Sequence, residues 1–288
     1  MIIAIDGQLC DELEAVVSVY DHGFLYGVGL FETFRTYEGI PFLLKEHLER
    51  LKHGCQHLAI AYQTDVQLIS DTVAALLKAN QLTDGYFRLS VSGGVDLLGL
   101  PQNVYTQPKE IMYVKALPSQ DPEFNLKGRP IQMLSLRRNT PEGAVREKSF
   151  HYLNNILGKR ELANYPWATG AEGIFLNESG YLAEGIVSNL FFIRGQTCYT
   201  PALETGILSG ITRAYVLKLA KRIRLTVIEG LFFKEELLHA DEVFLTNSIQ
   251  EIVPVSVIYD LTGKLYEPNG GKRGEWTKRL MSLYALRK

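Results

Sequence analysis

The sequence has few cysteines, no long apolar run and no excess of either charge. Its three cysteines, Cys10, Cys55 and Cys198, are odd in number and widely spaced among 288 residues, which favours reduced thiols in a cytoplasmic protein. Their spacing matches no metal site. No apolar stretch approaches the roughly 18 residues that indicate a membrane span. Thirty basic and thirty-two acidic side chains give a net charge of -2, which argues against a general nucleic-acid or membrane-surface binder.

The length and composition are those of a globular protein with about two domains. The first six residues include an acid and no basic region, so we expect no signal peptide. Pro118, Pro122 and Pro130 interrupt the pattern among polar residues, which predicts a domain boundary there. The expected division is an N-terminal domain of residues 1–117, a linker of residues 118–130 and a C-terminal domain of residues 131–288.

Apolar periodicity predicts strands and helices in both halves, so the fold class is α/β, or mixed α+β. We expect Leu153, Ile156 and Leu157 to form the buried face of one helix. The other helical stripes begin at Leu44, Val66, Ile211 and Leu280. Strands are predicted at residues 1–6, 15–20, 86–91, 111–116, 131–136, 173–176, 190–194, 225–228 and 242–245, and a further strand is expected before a turn at Glu38-Gly39.

A lysine lies just before the predicted helix that begins near Tyr152. Lys148 has Arg146 close by in the sequence, and a helix N-terminus with a neighbouring cation disfavours the charged amine. A neutral lysine amine is the form that reacts to give a Schiff base. Most lysines are solvated surface charges, so position alone leaves that simpler interpretation open.

Two further segments combine polar side chains with glycines. In Glu184-Gly185-Ile186-Val187-Ser188-Asn189, the acid could accept a hydrogen bond from a protonated ring nitrogen; a solvated acid at a strand edge is the alternative. Gly210-Ile211-Thr212-Arg213 opens a helix and could bind a phosphate through backbone amides, with Thr212 at or near the N-cap. An ordinary capped helix explains the same pattern.

Two shorter features complete the candidates. Thr246-Asn247-Ser248 ends an apolar strand and could add hydroxyl groups to an anion site, although such a triplet is often only a turn. Arg50 lies off the apolar stripe of its helix, where a surface arginine is the default and a phosphate-binding arginine is the alternative.

Taken together, these segments resemble the fold-type IV pyridoxal-phosphate enzymes, a family of class IV aminotransferases and related lyases. The resemblance covers nearly the whole chain. It includes an opening signature with Tyr26-Gly27 and Phe31-Glu32, and His47…Arg50-Leu51, which is similar to the phosphate-arginine segment. The order of six such matches is specific, and it implies a two-domain architecture with the cofactor between the domains and a homodimer.

The resemblance also implies a role for each candidate. Lys148 would be the catalytic residue that carries pyridoxal 5'-phosphate, and Glu184 would bind the ring nitrogen. Phe31 and Arg88 would contact the substrate. The remaining expected cofactor-binding residues are Arg50, Tyr152, Ser188, Asn189, Ile211, Thr212 and Ser248, with no metal.

Within the family, the opening signature is most similar to that of bacterial aminodeoxychorismate lyases, which make 4-aminobenzoate and pyruvate for folate. The small-molecule substrate implied is 4-amino-4-deoxychorismate. Ser92 stands where D-amino-acid aminotransferases have an arginine, which argues against that branch, whereas Tyr86-Phe87-Arg88 resembles a branched-chain aminotransferase segment. An aminotransferase is therefore the first alternative, and a non-catalytic phosphate-ligand binding protein is the second.

Overall fold

The computed structural model describes residues 1–119 and 122–286, which form two compact units. The first unit contains Met1–Pro118 together with Glu147–His151, and the second contains residues 119–146 and 152–286 as far as they are described. The segment that contains Lys148 therefore lies in the first unit and not in the C-terminal domain, where we expected it, because its backbone bonds to a strand of the first unit. Part of the expected linker has regular secondary structure, and its residues 120–121 lie outside the described residues.

Six strands of the first unit form one sheet in which all neighbours are antiparallel. Their spatial order is β2-β1-β6-β5-β3-β4. The strands are β1 (Ile2–Ile5), β2 (Gln8–Asp11), β3 (Gly29–Tyr37), β4 (Ile40–Pro41), β5 (Gly85–Ser92) and β6 (Lys109–Ala116), and the helices are α1 (His22–Tyr26), α2 (Leu44–His57) and α3 (Val66–Ala79).

One face of this sheet packs against α2 and α3, and the other carries polar side chains. Both predicted helices are confirmed, and their apolar stripes are buried, with Leu51 and Ile69 among the buried members, except that Val66 at the start of the second stripe is 43% exposed. Successive side chains of a strand point to opposite faces. On β5, Phe87 and Leu89 therefore join the helical core, and the intervening Arg88 belongs to the opposite face.

The strand predicted at residues 15–20 is wrong. The turn at Asp6-Gly7 returns the chain as β2, which pairs with β1 through residues 8–11. Residues 15–18 then have no regular structure, and Val16 and Val19 are 80% and 67% exposed. An apolar run that finds no paired neighbour does not form a strand.

The second unit is built on a nine-strand sheet. The order is β12-β11-β10-β13-β14-β7-β8-β9, β15 pairs with β14, and a further pairing of β9 with β10 joins Glu184 to Asn189. The strands are β7 (Arg129–Met133), β8 (Glu172–Leu176), β9 (Leu182–Gly185), β10 (Asn189–Arg194), β11 (Thr197–Pro201), β12 (Thr226–Gly230), β13 (Glu242–Asn247), β14 (Glu251–Tyr259) and β15 (Leu265–Tyr266). The helices are α4 (Pro122–Lys127), α5 (Leu153–Leu162), α6 (Ile211–Arg222), α7 (Lys234–Leu238) and α8 (Glu275–Ala285).

The predicted buried face of α5 is wrong. Leu153 and Ile156 are 65% and 47% exposed, whereas Asn155 and Gly158 are buried. The Asn155 amide donates a hydrogen bond to the carbonyl of Ile186, and Gly158 lets the helix approach the sheet closely. In the part of the chain that the structure describes, no helix combines the length and apolar character that a membrane crossing needs.

Candidate active site

The segment around Lys148 runs alongside strand β3 in the first unit. The amide of Phe31 donates to the carbonyl of Lys148 (N···O 2.9 Å), and the amide of Phe150 donates to the carbonyl of Gly29 (3.0 Å). Gly29 is needed here, because a Cβ at that position would come within 2.3 Å of the Phe150 ring. The backbone of β3 therefore fixes where the Lys148 side chain begins.

Lys148 and Arg88 both contact the ring of Phe31, and Phe31 and Arg88 are the two expected substrate-binding residues. The Lys148 Nζ is 4.5 Å from the centroid of the Phe31 ring, and the guanidinium carbon of Arg88 is 3.6 Å from the same centroid. The electron-rich ring face attracts both cations. Nε of Arg88 also donates to Oγ of Ser90 at 3.1 Å. The structure thus brings the expected catalytic lysine, Phe31 and Arg88 into one cluster.

A cavity of about 420 Å³ opens beside Arg88. The amine of Lys109, another lining residue, is paired with Asp6 at 2.5 Å, and the lining also contains the carboxylate of Asp21, which accepts from Oγ of Ser92. Guanidinium groups match carboxylates because their N–H donors lie in one plane. The lining includes Arg88, Ser90, Ser92, Lys109, Tyr113 and Phe150. Arg88 and the rings of Tyr113 and Phe150 are groups that can contact a carboxylate ligand with a flat apolar body.

Arg50, the expected phosphate-binding arginine, forms a bidentate ion pair with buried Glu32. Its Nε donates to Oε1 of Glu32 at 2.8 Å and its Nη2 donates to Oε2 at 2.6 Å. Nδ1 of His47 lies 2.6 Å from Oε2 of the same carboxylate. Burial alone would raise the pKa of Glu32, but the charges and hydrogen bonds of Arg50 and His47 outweigh it and lower the pKa to about 2. Because the Arg50 side chain is only 16% exposed, it is not a solvated surface arginine.

Glu184, the expected partner of a cofactor ring nitrogen, is buried in the second unit. Its Oε1 accepts from Nε of Arg138 at 2.8 Å. Its Oε2 accepts from the amide of Leu208 at 3.0 Å and from Nδ2 of Asn189 at 3.4 Å. The alternative of a solvated acid at a strand edge is therefore wrong.

Two buried arginines beside Glu184 are not identified by the sequence analysis as site residues. Nη1 of Arg138 donates to Oδ1 of Asn154 at 2.6 Å. Arg146 lies 3.9 Å from Oε1 of Glu184 and donates to the carbonyl of Gly206. Burial, followed by the charge of Arg138, lowers the pKa of Arg146 to about 10. The only sequence signal for Arg138 is its place two residues after the strand predicted at residues 131–136.

Ser188 and Asn189, both expected cofactor-binding residues, are buried near Glu184. Oγ of Ser188 donates to Oε1 of Glu172 at 3.2 Å. Nδ2 of Asn189 donates to the carbonyl of Leu208 at 3.0 Å as well as to Glu184. In the structure these two side chains hold the segment that carries Glu184.

Several uncharged hydrogen-bond donors lie at the N-terminus of α6. Ile211 and Thr212 are its first two residues, so their amides have no partner within the helix. The N-cap residue is Gly210, two positions before Thr212, and no side chain caps the helix. Oγ1 of Thr212 and Oγ of Ser248 are 3.4 Å apart. Because no side chain caps α6, its start differs from that of an ordinary capped helix, and its first amides can donate hydrogen bonds to an anion.

A buried hydroxyl supports the same interpretation. Oγ1 of Thr246, two residues before Ser248, is buried and has no hydrogen-bond partner among residues 1–119 and 122–286. A buried hydroxyl without a partner is unfavourable by about 1–3 kcal/mol, and a phosphate oxygen would satisfy it. The residues at the start of α6 and the end of β13 therefore fit the phosphate of pyridoxal 5'-phosphate.

The expected site residues divide between the two units. The first unit contains Phe31, Arg50, Arg88 and Lys148. The second contains Tyr152, Glu184, Ser188, Asn189, Ile211, Thr212 and Ser248. Tyr152 occupies the N-cap position of α5, where its side chain makes no capping hydrogen bond.

Comparison with known proteins identifies the family. A family model for class IV amino-transferases matches residues 29–258. The chain is 44% identical to the aminodeoxychorismate lyase of Bacillus subtilis, over 98% of this chain and 93% of that protein. It is 36% identical to a putative branched-chain-amino-acid aminotransferase of Methanocaldococcus jannaschii, over 97% and 94%.

Solved structures agree with this assignment. A 4-amino-4-deoxychorismate lyase from Pseudomonas aeruginosa has a TM-score of 0.82 at 29% identity, over 98% of this chain and 97% of that chain. A branched-chain amino acid aminotransferase from Escherichia coli has a TM-score of 0.87 at 26% identity, over 100% and 94%. The expected mixed α/β fold and the family resemblance are confirmed. The chain belongs to the class IV amino-transferase family.

Proposed function

We propose that this chain is a pyridoxal-phosphate-dependent lyase that converts 4-amino-4-deoxychorismate to 4-aminobenzoate and pyruvate, a step of folate synthesis. The observation that carries the proposal is the Lys148 amine beside the Phe31 ring and the Arg88 guanidinium. This cluster provides a base and a carboxylate-binding cation against one aromatic ring. The 44% identity to the Bacillus subtilis lyase supports the same reaction. We place it in the cytoplasm, where three unpaired thiols stay reduced.

Each residue has a task in the proposed reaction. When bound, pyridoxal 5'-phosphate supplies an electron sink for the carbon that bears the substrate amine. Lys148 would hold the cofactor through its amine, and the same amine would act as the base that removes the proton from that substrate carbon. The bond between the neighbouring ring carbon and the ether oxygen then breaks, and the three-carbon group leaves with the electron pair. A proton returned to that group completes pyruvate, and the ring becomes aromatic.

The other expected residues bind and orient. Glu184 accepts a hydrogen bond from the ring nitrogen and favours its protonated form. Arg88 binds a substrate carboxylate in the adjoining cavity, and Phe31 packs against the substrate ring. We propose that Arg50, Ile211, Thr212 and Ser248 bind the cofactor phosphate, that Ser188 and Asn189 support Glu184, and that Tyr152 lies near the phenolic oxygen. The placement of the cofactor between the domains stays a prediction from the resemblance.

An aminotransferase is the second candidate, and two observations favour it. The Methanocaldococcus jannaschii relative is a putative branched-chain-amino-acid aminotransferase, and Arg88 follows Tyr86 as in that branch. The D-amino-acid branch is disfavoured by Ser92, whose hydroxyl donates to Asp21 at 2.7 Å and carries no charge for a carboxylate.

A homodimer is also part of the proposal. Residues 13–24 and 95–100 of the first unit present apolar side chains to solvent, and the two segments adjoin through a bridge between Asp21 and Val95. Contiguous apolar patches of this kind mark interaction surfaces, and a second copy is the partner that the resemblance implies. The exposed side chains are Leu13, Val16, Val19, Tyr20, Phe24, Leu97, Leu98 and Leu100. Sedimentation should show a dimer that Leu97→Glu together with Leu98→Glu converts to monomer.

Covalent labelling tests the assignment of Lys148. Borohydride reduction of the protein with pyridoxal 5'-phosphate, followed by peptide mapping, should place the label on the peptide that contains Lys148. Lys148→Ala should abolish the label, whereas Lys109→Ala in the same unit should leave it unchanged. A label on any other lysine would end the assignment.

Product analysis separates the lyase from the aminotransferase. With 4-amino-4-deoxychorismate and no keto acid, a lyase gives many turnovers to 4-aminobenzoate and pyruvate. An aminotransferase stops after one turnover with the cofactor in its amine form and resumes when 2-oxoglutarate is added. The second pattern would replace the lyase proposal with the aminotransferase.

A further inference from the structure

The Glu32 carboxylate is enclosed by donors from a single helix. Arg50 and His47 both lie on α2, three residues apart, and both point to the carboxylate that β3 supplies. Glu32 and His47 are 1% and 2% exposed. Side chains three apart on a helix lie on the same face, so one turn of α2 forms two sides of this cluster. We call Glu32, His47 and Arg50 the Glu32 cluster.

The bond pattern fixes the plane of the Arg50 guanidinium. Two N–H groups, on Nε and Nη2, meet the two carboxylate oxygens at 2.8 and 2.6 Å. Such a paired contact sets direction as well as distance. The remaining N–H groups, two on Nη1 and one on Nη2, then point away from the carboxylate, in directions that Glu32 determines.

Stability alone is a poor explanation for this cluster. Replacing a buried ion pair with apolar side chains of similar volume is often neutral or stabilising, and the surrounding core of Leu48, Leu51 and Phe34 is apolar. A buried pair is better explained where one member has a second task that requires fixed geometry. Arg50 has such a task if it binds a phosphate.

His47 contributes a donor without a charge. Burial lowers the pKa of His47, and the nearby charge of Arg50 acts in the same direction, against the opposing effect of Glu32. A neutral imidazole with its proton on Nδ1 donates to Glu32 and leaves the ion pair balanced. His47 therefore restrains the carboxylate from the side that Arg50 does not occupy.

We propose that Glu32 and His47 are positioning residues that orient Arg50 for the phosphate of the cofactor. This inference rests on the proposed function, because it requires a phosphate-bearing cofactor at Arg50. Neither residue touches the cofactor; both act through the guanidinium. Their removal should weaken binding of the phosphate and leave binding of the rest of the cofactor unchanged.

The test compares pyridoxal 5'-phosphate with pyridoxal, which lacks the phosphate, by titrating the cofactor-free protein. Glu32→Gln should weaken binding of pyridoxal 5'-phosphate about tenfold or more, the range for a charge-assisted hydrogen bond, and leave pyridoxal affinity unchanged. Glu110→Gln removes another partly buried carboxylate, bound by Tyr62, from the same unit and should change neither affinity. Equal loss of both ligands in Glu32→Gln would show a structural role and overturn the inference.

A double-mutant cycle distinguishes failure of the inference from failure of the proposed function. In the Arg50→Met background, Glu32→Gln should have no further effect on pyridoxal 5'-phosphate affinity. A full further effect would show that Glu32 acts independently of Arg50. If Arg50→Met itself leaves the ratio of the two affinities unchanged, Arg50 does not bind the phosphate and the inference falls with that role. If the unaltered protein binds neither ligand, the proposed function has failed.

His47 variants keep the inference testable if Glu32→Gln does not fold. His47→Ala retains both charges of the ion pair and should lower the affinity for pyridoxal 5'-phosphate severalfold, with pyridoxal unaffected. His47→Asn retains an N–H donor and should restore most of the loss. No change in His47→Ala, measured on protein whose thermal unfolding matches the original, would remove His47 from the proposal.

Discussion

Each unit contains a buried carboxylate bound by an arginine, but the two arrangements are built differently. Glu32 receives both of its side-chain partners from one turn of α2. Glu184 receives Arg138, a backbone amide from Leu208 and an asparagine from β10, which come from three separate parts of the chain. One carboxylate is fixed by a local element, and the other is fixed by the tertiary fold.

Under the proposed function, the difference in exposure suggests which member of each ion pair contacts the cofactor. In the Glu32 cluster the Arg50 side chain is 16% exposed and the Glu32 side chain is 1% exposed. We therefore expect Arg50 to contact the cofactor and Glu32 to orient Arg50. Glu184 and Arg138 are both 6% exposed, and Arg138 also donates a hydrogen bond to Asn154. We therefore expect Arg138 to orient Glu184. If the proposed function is correct, the same type of ion pair has opposite roles in the two units.

The largest expected effect is on turnover at Glu184. Glu184→Gln removes the charge that favours a protonated ring nitrogen, so turnover should fall on the order of a thousandfold while the cofactor stays bound. Glu32→Gln, assayed at saturating cofactor, should reduce turnover by less than about tenfold. Steady-state rates at several cofactor concentrations check both values. Similar losses in the two variants would break the contrast between the carboxylates.

Arg138→Met should destabilise the second unit. The substitution leaves the Glu184 carboxylate buried with its main cation removed, which is unfavourable by about 3–5 kcal/mol. Urea unfolding of the cofactor-free protein measures the change. Arg129→Met, which removes a more distant partner of a different carboxylate (Glu172, 3.7 Å), is the matched control and should have a smaller effect. An Arg138→Met variant of normal stability would show that Arg146 compensates.

The sequence predicts local elements well where apolar periodicity and packing agree. The stripes of α2 and α6 follow the helical period and are buried accordingly. For α5 the same reasoning fails, because a hydrogen bond from Asn155 and the close contact of Gly158 with Phe175 turn the polar face inward; a Cβ at Gly158 would come within 2.5 Å of that ring. Strand β14 is missed because Pro254 interrupts its apolar run.

For the site, motif order locates the principal residues but not their partners. Lys148 and Glu184 stand in recognisable segments, so their importance can be predicted from the sequence. Glu32 lies 18 residues from Arg50, and Arg138 lies 46 residues from Glu184. These pairings depend on how a strand meets a helix or a distant strand, and no local period contains that information.

The Glu32 cluster should also stabilise the protein in a pH-dependent manner. The pKa of Glu32 is lowered from 4.5 to about 2, so its contribution is complete above about pH 5 and is lost as the pH falls towards 2. The contribution is on the order of 3 kcal/mol. Urea unfolding between about pH 6 and 3 should show the stability difference between the original protein and Glu32→Gln shrinking as acid is added.

A carboxylate with the opposite shift provides the control. Burial raises the pKa of Glu110, so its charged form is unfavourable and the protein gains relative stability as this group protonates. The difference between the original protein and Glu110→Gln should therefore move in the opposite direction with falling pH. Parallel curves for the two variants would contradict the shift assigned to Glu32.

The smallest expected effect compares a neutral donor of the second unit with the charged donor of the first. Thr246→Val removes a buried hydroxyl that has no partner among the described residues, so the cofactor-free protein should be as stable as before or more stable, by about 1 kcal/mol. The affinity for pyridoxal 5'-phosphate should fall by about fivefold, the range of a neutral hydrogen bond, and pyridoxal affinity should not change. Arg50→Met should lower the same affinity more, because its donor is charged.

Titration with the two ligands and thermal unfolding measure these quantities together. A stabilised Thr246→Val protein with unchanged affinity for both ligands would show that the phosphate does not reach this hydroxyl, and that the first unit's arginine acts without it.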